Sequence, residues 1–402
     1  MTSEAAGTDR TLDFPAARAA ACPFDPPPAY QHALRTEPVA RARLWDGSTC
    51  WLVTGYPQVR SMLGDRRLSA DVRVDGFPLL SRGRRELVNR SAPSFIRLDD
   101  LEHARQRHML TGDFIVRRVE AMRPQIQRVV DEALDRMIDE GGPTDLVTAF
   151  AVPVSLQVIC RLLGLPHQDH AFFRTHSRVL ADIDSETETL RASISALTGY
   201  LTDVAQHKRR SPDESVLGHL AAREDISVEE VASMGRLLLT AGQETTAEMT
   251  ALGTLALLRN PEQAELLRTE PELTKGAVEE LLRYLSIVHL GVPRVAVEDI
   301  DLDGTLIRAG EGVLLMLSTA NRDAGPFPDG DRLDITRDAR HHLAFSFGAH
   351  QCLGQSLARA ELQTTLPTLF RRLPGLRLVV PFAEVTYRTD MVYGVNKLPV
   401  SW

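Results

Sequence analysis

One segment near the middle of the chain constrains the fold more than any other, because it is long and apolar on nearly every face. It reads ISVEEVASMGRLLLTAGQETTAEMTALGTLALLRNP, and Ser227 followed three residues later by Glu230 forms a capping box, which predicts the start of a helix. Pro261 predicts its end, since helices usually stop before proline. About 33 residues at ~1.5 Å each span roughly 50 Å, the width of a whole domain. A helix that is apolar from 237 to 258 has to run through the core.

The rest of the chain is predicted to be mainly helical, with a smaller strand-rich region. Three segments with helical periodicity cover residues 117–141, 190–210 and 274–286. Apolar strands flank Asp-Gly turns at 46–47 and 303–304, which predicts two β-hairpins. The sequence contains no internal repeat and no low-complexity linker. We therefore expect one domain over residues 1–402, with residues 1–30 as a proline-rich, extended N-terminal arm.

Composition and charge exclude several classes of protein. The net charge of −8 gives no reason to expect a nucleic-acid partner. No run approaches the ~18 apolar residues of a membrane span, and the N-terminus has no apolar signal-peptide core. The four cysteines form no C-x-x-C pair, so neither a disulfide framework nor a zinc ribbon is indicated. We expect a protein of the reducing cytoplasm that does not bind membranes.

A second feature is the segment AFSFGAHQCLG, residues 344–354, which precedes a helical pattern. Cys352 lies just before this helix, where unpaired N–H groups and the positive end of the dipole stabilise a thiolate. Gly348 and Gly354 allow the backbone to approach a flat, bulky group, and backbone donors to sulfur support a bound metal. Taken alone, however, Cys352 is better explained as a buried free cysteine.

The residues around Cys352 favour a metal ligand over a buried free cysteine. The loop has the spacing F-x-x-G-x-H-x-C-x-G, and this resembles the haem-binding loop of the cytochrome P450 family. Its five defined positions are Phe345, Gly348, His350, Cys352 and Gly354. In that family the cysteinate is the proximal ligand of the haem iron, so the resemblance implies that Cys352 is the metal ligand. Ser346 stands where the family more often has glycine.

Three more segments resemble the same family in the same order. AGQETT at 241–246 resembles the oxygen-activation motif of the long central helix, and Glu280-x-x-Arg283 resembles the structural pair of a later helix. ANRD at 320–323 and the segment that follows are similar to the meander before the haem loop. The resemblance covers essentially the whole chain and is closest to soluble actinobacterial members. It implies a triangular, prism-like fold with haem between the long central helix and the cysteine-loop helix.

The resemblance also implies which residues bind haem b, iron protoporphyrin IX. These residues are His103, Arg107, Ala241, Gly242, Arg294, Phe345, Gly348, His350, Cys352 and Gly354. The two histidines and two arginines are expected to hold the haem propionates. Taken singly, each of the four is better explained as a solvated surface residue. Asp100 and Leu101 stand where the family usually has prolines, which leaves the local turn open.

Two residues of the central helix are candidates for proton delivery to dioxygen. Thr245 supplies a hydroxyl and Glu244 a carboxyl where the helix passes the expected haem. The alternative for Thr245 is a hydroxyl that bonds back to a helix carbonyl, and both roles are compatible. Glu280 and Arg283 share a helix face at i, i+3, and the resemblance assigns them to folding and haem retention rather than to catalysis.

Substrate contacts are expected from a variable loop around 73–96, from 172–184 and from several later positions. The candidate residues are Arg73, Leu238, Val288, Leu290, Val292, Met391 and Val392. Most of them are apolar, which predicts a hydrophobic small molecule of moderate size. It would be macrolide-like or polyketide-like, terpenoid or steroid-like in secondary metabolism, or a xenobiotic.

The resemblance implies a monomeric monooxygenase that hydroxylates or epoxidises its substrate with O2. Electrons would come from NAD(P)H through a ferredoxin reductase and a ferredoxin, because the chain has no flavin or nucleotide motif. The arginines expected near the cysteine, which would steer an acidic ferredoxin, are Arg105, Arg117, Arg118 and Arg359. The alternatives are a peroxide-driven or isomerising haem-thiolate enzyme and a haem-based sensor or carrier.

Overall fold

The computed structural model describes residues 11–88 and 94–402, and helix is its main component. The α-helices of these residues are α1 Pro28–Thr36, α2 Tyr56–Leu63, α3 Arg82–Leu87, α4 Asp100–Thr111, α5 Val116–Glu140, α6 Val152–Leu163, α7 His170–Ala181, α8 Thr187–Arg210, α9 Val216–Ala221, α10 Val228–Arg259, α11 Pro261–Thr269, α12 Thr274–Leu285, α13 Leu317–Ala320 and α14 Gln355–Arg372. The prediction of a mainly α fold with a smaller β region is confirmed.

The strands are short and form several small sheets. They are β1 Leu12–Asp13, β2 Val39–Arg43, β3 Thr49–Val53, β4 Leu68–Ser69, β5 Thr144–Asp145, β6 Val292–Ala296, β7 Ile300–Leu302, β8 Thr305–Ile307, β9 Gly312–Leu315, β10 Arg377–Leu378, β11 Tyr387–Thr389, β12 Tyr393–Val395 and β13 Pro399–Ser401. The largest sheet has the order β1-β2-β3-β9-β6-β4. Both predicted hairpins are confirmed, as the antiparallel pairs β2–β3 and β7–β8.

Helix α10 confirms the strongest expectation from the sequence. The Ser227 hydroxyl accepts from the Glu230 N–H at 3.1 Å, while the Glu230 carboxylate accepts from the Ser227 N–H at 3.0 Å. The helix ends at Arg259, two residues before Pro261. It packs against α6, α8 and α14, so most of its length is buried. None of the helices in the described ranges, α10 included, is both long enough and apolar enough to span a membrane.

A close approach between two helices fixes the middle of α10. Gly242 lies against Ile159 of α6, and a Cβ at position 242 would be 2.7 Å from the Ile159 Cδ1 atom. Ser155, also on α6, donates to the carbonyl oxygen of Gln243 at 2.8 Å. A glycine at this position therefore lets α6 and α10 pack backbone to side chain, and this contact positions residues 241–246 of α10.

The pair Glu280–Arg283 ties α12 to the segment before the cysteine loop. Both side chains have no exposed surface, and the guanidinium contacts the carboxylate through Nε at 2.7 Å and Nη2 at 2.8 Å. Arg283 also donates to the carbonyl oxygens of Asn321 and Gly330, and Glu280 accepts from the Asp334 N–H at 3.0 Å. Because these contacts leave no polar atom of the pair without a partner, the buried charges brace residues 321–334.

Candidate active site

A cavity of about 350 Å³ lies between the middle of α10 and the start of α14. One wall consists of Ala241, Gly242 and Thr245 of α10, and the opposite wall is the loop that carries Cys352. The cavity is lined mainly by apolar side chains, as is usual for sites that take small organic molecules. The sequence motifs on the two walls therefore meet at one site.

The loop before α14 is held in its shape by backbone contacts. The Cys352 N–H donates to the Phe345 carbonyl at 2.9 Å, closing the turn over Ser346 and Gly348. Gly348 has φ +76°, and a Cβ there would lie 2.6 Å from the Leu63 carbonyl oxygen, so glycine is required. Ser346 also has a positive φ, +62°, which explains why glycine suits that position in the resembling family.

The Cys352 side chain is accessible, but the space that it faces is the cavity. Burial raises the pKa of its thiol above the ordinary value, while the Gly354 N–H and the cations Arg107 and Arg359 act in the opposite direction. The surroundings therefore partly prepare a thiolate without forming one at neutral pH. A metal ion would complete the deprotonation, because coordinated thiols lose their proton outright.

Three arginines and two histidines lie along one side of the site. Four of them, Arg97, Arg107, Arg294 and His350, line the cavity, and the His103 ring lies 4.1 Å from that of His350. The Nε2 atom of His103 is buried and has no partner in the described part of the chain. The Arg294 guanidinium is buried and donates to the Pro293 carbonyl oxygen. The Asp99 carboxylate, 3.9 Å from His350 Nε2, offsets part of the positive charge of this cluster.

Burial and mutual repulsion weaken the charged forms of this cluster. They lower the pKa of His350 to about 3, that of Arg97 to about 9, and that of Arg294, mainly through burial, to about 10. Such a cluster requires anions to balance it. The two propionates of a haem meet this need, and a cysteine sulfur across the same cavity suits its iron. The residues present therefore fit the cofactor that the sequence resemblance implies.

Arg97 was missed by the sequence reasoning, although its guanidinium is buried beside Arg294 and no acceptor in the described residues contacts it. In the sequence it stands one turn before α4 as an ordinary arginine in an arginine-rich chain. Asp100 and Leu101, which leave the turn in doubt at the sequence level, still begin α4, with Asp100 at φ +44°. His103 and Arg107 therefore keep one helix face.

Thr245 and Glu244 point in different directions from α10. The Thr245 hydroxyl donates to the Ala241 carbonyl at 2.7 Å, and the side chain lines the cavity, so both readings of this residue apply. Glu244 is not part of the cavity wall. Its carboxylate accepts from the Gln243 amide at 3.3 Å and lies 4.0 Å from Arg388 Nη1. Burial raises the pKa of Glu244, which favours the protonated acid.

A second buried acid faces the cavity from α14. Glu361 is 2 % exposed, and burial raises its pKa to about 8, against a lowering by its hydrogen bond with Ser155. Glu361 was not predicted from the sequence, because a glutamate in a helix rich in arginine and glutamine resembles a surface residue.

The proposed substrate residues separate into two groups. Cavity-lining candidates are Leu238, Val288, Val292 and Met391. Arg73, Leu290 and Val392 do not line the cavity. Arg73 pairs with Asp71 at 2.5 Å, and Leu290 is buried in a different apolar cluster. Phe95 and Ile96 line it at the end of the predicted variable loop, whose residues 89–93 lie outside the described ranges, and residues 172–184 do not contribute to its wall.

Most of the arginines expected to attract a ferredoxin have acidic partners within the chain. Arg105 pairs with Glu102 and Glu230. Arg118 pairs with Asp113, while Arg359 pairs with Glu279 at 2.7 Å and lies over the Phe345 ring. Arg117, at the start of α5, is exposed. The surface beside the cysteine loop is therefore less basic than the count of arginines indicates.

Comparisons with known proteins extend the likeness to the whole chain. A family model described as Cytochrome P450 matches residues 167–374. The chain is 57 % identical over 402 residues to Cytochrome P450-SU2 of Streptomyces griseolus, and the alignment covers 100 % of both chains. It is 46 % identical over 409 residues to pentalenic acid synthase of Streptomyces avermitilis, again over 100 % of both chains. The crystal structure of the mycinamicin VIII C21 methyl hydroxylase MycCI from Micromonospora griseorubida, bound to mycinamicin VIII, superposes with a TM-score of 0.92. It shares 39 % identity and covers 98 % of this chain and 100 % of that one.

Proposed function

This chain belongs to the cytochrome P450 family and is a cytochrome P450 monooxygenase, and on that premise we propose the chemistry that its site performs. We propose that it binds haem b and inserts one oxygen atom of O2 into a C–H or C=C bond of a hydrophobic small molecule. The observation that carries the proposal is a single cysteine sulfur facing an apolar cavity, with the Thr245 hydroxyl on the opposite wall.

The proposed haem contacts follow from the two chemical ends of the cofactor. Cys352 would hold the iron, and His103, Arg107, Arg294 and His350 would hold the propionates, with Arg97 as an additional cation. When bound, haem supplies dioxygen activation, and a thiolate ligand favours O–O cleavage by donating electron density. Gly354 lines the cavity two residues after Cys352, and a Cβ there would have nothing within 4 Å, which leaves open space beside the sulfur for a flat ring.

We assign proton delivery to Thr245 and Glu244. The Thr245 hydroxyl lies at the cavity wall, where it would be available to pass a proton into the cavity. Glu244 lies behind it in a buried setting that raises its pKa and favours its protonated form, which suits a proton donor. The apolar cavity wall excludes bulk water, so protons have to pass through such side chains.

The apolar cavity wall supports a hydrophobic substrate. Two of the similar proteins are named for pentalenic acid and for the C21 methyl group of mycinamicin VIII. We therefore propose a macrolide-like or polyketide-like, terpenoid or steroid-like molecule of secondary metabolism, or a xenobiotic, as substrate. Within the walls, Leu238, Val288, Val292 and Met391 would contact it.

We propose NAD(P)H, a ferredoxin reductase and a ferredoxin as the electron supply, and a monomer in the cytoplasm as the working form. All four cysteines are free thiols, which agrees with a reducing compartment. Arg117 is the exposed cation at the expected docking side, and the paired arginines would add to the field of that surface.

A turnover experiment under ¹⁸O₂ tests the proposal. Candidate ligands are first selected by the haem spin-state change that they cause, and then incubated with NADPH, a ferredoxin reductase and a ferredoxin. One ¹⁸O atom in the product is expected. Product formed with peroxide alone and not with the electron supply would favour a peroxide-driven enzyme. A ligand-induced spectral change without product under any supply would favour a sensor or carrier.

A further inference from the structure

Two buried acids lie one helical turn apart on α10, and one arginine reaches both. Glu244 is 8 % exposed and Glu248 is 1 % exposed. At i, i+4 they share a face of the helix, toward the hairpin β11–β12. Arg388, the middle residue of β11, extends from that hairpin to the two carboxyl groups.

The two contacts of Arg388 are unequal. Its Nη2 atom forms a direct ion pair with Glu248 Oε1, whereas its Nη1 atom is 4.0 Å from Glu244 Oε2. Glu248 also accepts from the Val395 N–H at 3.2 Å. Gly394 leaves the space in which this carboxylate lies, since a Cβ at that position would collide with it. The hairpin therefore packs closely on the Glu248 carboxylate, whereas the nearest guanidinium atom to Glu244 is Arg388 Nη1, at 4.0 Å.

Other charges near Glu244 do not replace this contact. Arg178 of α7 is close enough to act on Glu244, but its Nη1 atom pairs with Asp390 at 2.5 Å. Asp390 itself raises the pKa of Glu244, in the same direction as burial. Among the described residues, Arg388 is therefore the cation whose position decides whether Glu244 keeps its proton.

We propose that Glu248 is a positioning residue for proton delivery: by holding the Arg388 guanidinium, it prevents a full ion pair between Arg388 and Glu244. This inference rests on the proposed role of Glu244 as a proton donor. A full pair with a guanidinium stabilises a carboxylate and lowers its pKa, so Glu244 would lose its proton at a lower pH. Glu248 thereby keeps the neighbouring acid protonated.

Two variants should shift the pKa of Glu244 in opposite directions. In Glu248→Gln, Arg388 loses its carboxylate partner and is free to pair with Glu244, so the pKa of Glu244 falls. In Glu248→Gln/Arg388→Gln the cation is also removed, so the pKa of Glu244 rises. A purely structural role of the Glu248–Arg388 pair would weaken folding in the single variant without this reversal.

The direct readout is the infrared band of the protonated Glu244 carboxyl in the purified holoenzyme, assigned by its loss in Glu244→Gln. We expect its titration midpoint to fall by at least about one pH unit in Glu248→Gln and to rise in the double variant. At a pH well above both midpoints, turnover should fall about tenfold in the single variant, since a one-unit shift there removes about nine-tenths of the protonated acid. Glu229→Gln, an exposed change on the same helix, should leave the band and the turnover as in the wild type.

An unshifted midpoint in Glu248→Gln, or a shift in the same direction in both variants, would overturn the role of Glu248. If Glu248→Gln folds poorly, Arg388→Gln alone takes its place, and a midpoint that does not rise in that variant has the same meaning. Normal coupling of electrons to product in Glu244→Gln would instead overturn the proposed function of Glu244, whatever the infrared result. The two failures are therefore distinguishable.

Discussion

The Thr245 hydroxyl can form a hydrogen bond with the backbone of α10 and also with a molecule in the cavity. Its donor goes to the Ala241 carbonyl at 2.7 Å, which leaves the oxygen lone pairs directed toward the cavity that the side chain lines. An oxygen that accepts on the cavity side and can release its donor is suited to hold a water or dioxygen and to pass on a proton. Alanine at this position removes both capacities and little volume.

We expect Thr245→Ala to bind haem and substrate normally but to divert reducing equivalents to hydrogen peroxide. The reason is that a proton no longer reaches the distal oxygen in a site that excludes water. The measurement is the ratio of peroxide to product per NADPH consumed. Thr254→Ala is the matched control, because Thr254 on the same helix is buried and makes the same type of backbone contact, with Thr250. Coupling at the wild-type level in Thr245→Ala would contradict the assigned role.

Ser346 carries a conformation that glycine adopts at lower cost. Its φ is +62°, and its hydroxyl is buried without a partner in the described residues. We expect Ser346→Gly to raise the free energy of unfolding by about 1 kcal/mol, since the left-handed strain and the unsatisfied hydroxyl are both removed. Thermal unfolding of the holoenzyme measures this. A Tm below that of the wild type would show that the serine stabilises the loop instead.

At the scale of single residues, the sequence indicated which residues lie at the cavity better than it indicated which way their side chains point. Cys352, His350 and Arg294 could be located from motif spacing alone. The orientation of Glu244 toward β11 rather than into the cavity could not, because adjacent residues on a helix point about 100° apart and only the packing decides which one meets the site. Arg97 gave no signal, because its burial results from tertiary contacts that composition does not record.

Among the elements, α12 shows how a buried ion pair organises a long irregular segment. The pair Glu280–Arg283 has no exposed surface and contacts four backbone groups between 321 and 334. An exposed pair of the same spacing, Glu265–Arg268 on α11, contributes little to stability, because water and salt screen it. The difference between the two arises from burial, not from spacing.

Glu280→Gln is expected to reduce the free energy of unfolding by ~3–5 kcal/mol, because it leaves Arg283 buried without a counter-charge. Haem retention should decrease with it, since the braced segment leads into the cysteine loop. Urea unfolding and the ratio of haem to protein absorbance measure the two effects. In the control Glu265→Gln, both quantities should change little. Equal effects in the two variants would show that the buried pair has no special role.

The elements themselves were largely predictable where their signals are local. The capping box and Pro261 placed α10 correctly, and the Asp-Gly turns placed both hairpins. The short strands β4, β5, β10 and β11 were not predicted, because two or three residues carry no periodicity. The pairing partners of β4, β5 and β10 lie well apart from them in the chain, whereas β11 pairs with the neighbouring β12. Of these strands β11 matters most, since it brings Arg388 to α10.

Over the whole molecule, the charge distribution bears on how electrons reach the site. The chain is acidic overall, and most arginines beside the cysteine loop are paired within the chain. An acidic ferredoxin would therefore be steered by a small local excess of positive charge. The exposed Arg117 contributes to this charge. A weak field of this kind is screened within about 10 Å at 0.1 M salt.

Ferredoxin-supported turnover is expected to slow as the salt concentration rises, with most of the effect in the apparent KM for ferredoxin. Arg117→Ala should reduce this salt dependence. Arg136→Ala, an exposed change nearer the other end of α5, is the control and should not. Turnover rates that do not depend on salt concentration would contradict electrostatic steering of ferredoxin.

The central claim is that the Cys352 sulfur ligates the haem iron, and the absorbance spectrum of the reduced protein with CO tests it most directly. We predict the strongly red-shifted Soret band that thiolate ligation produces in the cytochrome P450 family, and its loss in Cys352→Ala. An unshifted band in the wild-type protein, or a red-shifted band that persists in Cys352→Ala, would contradict the claim.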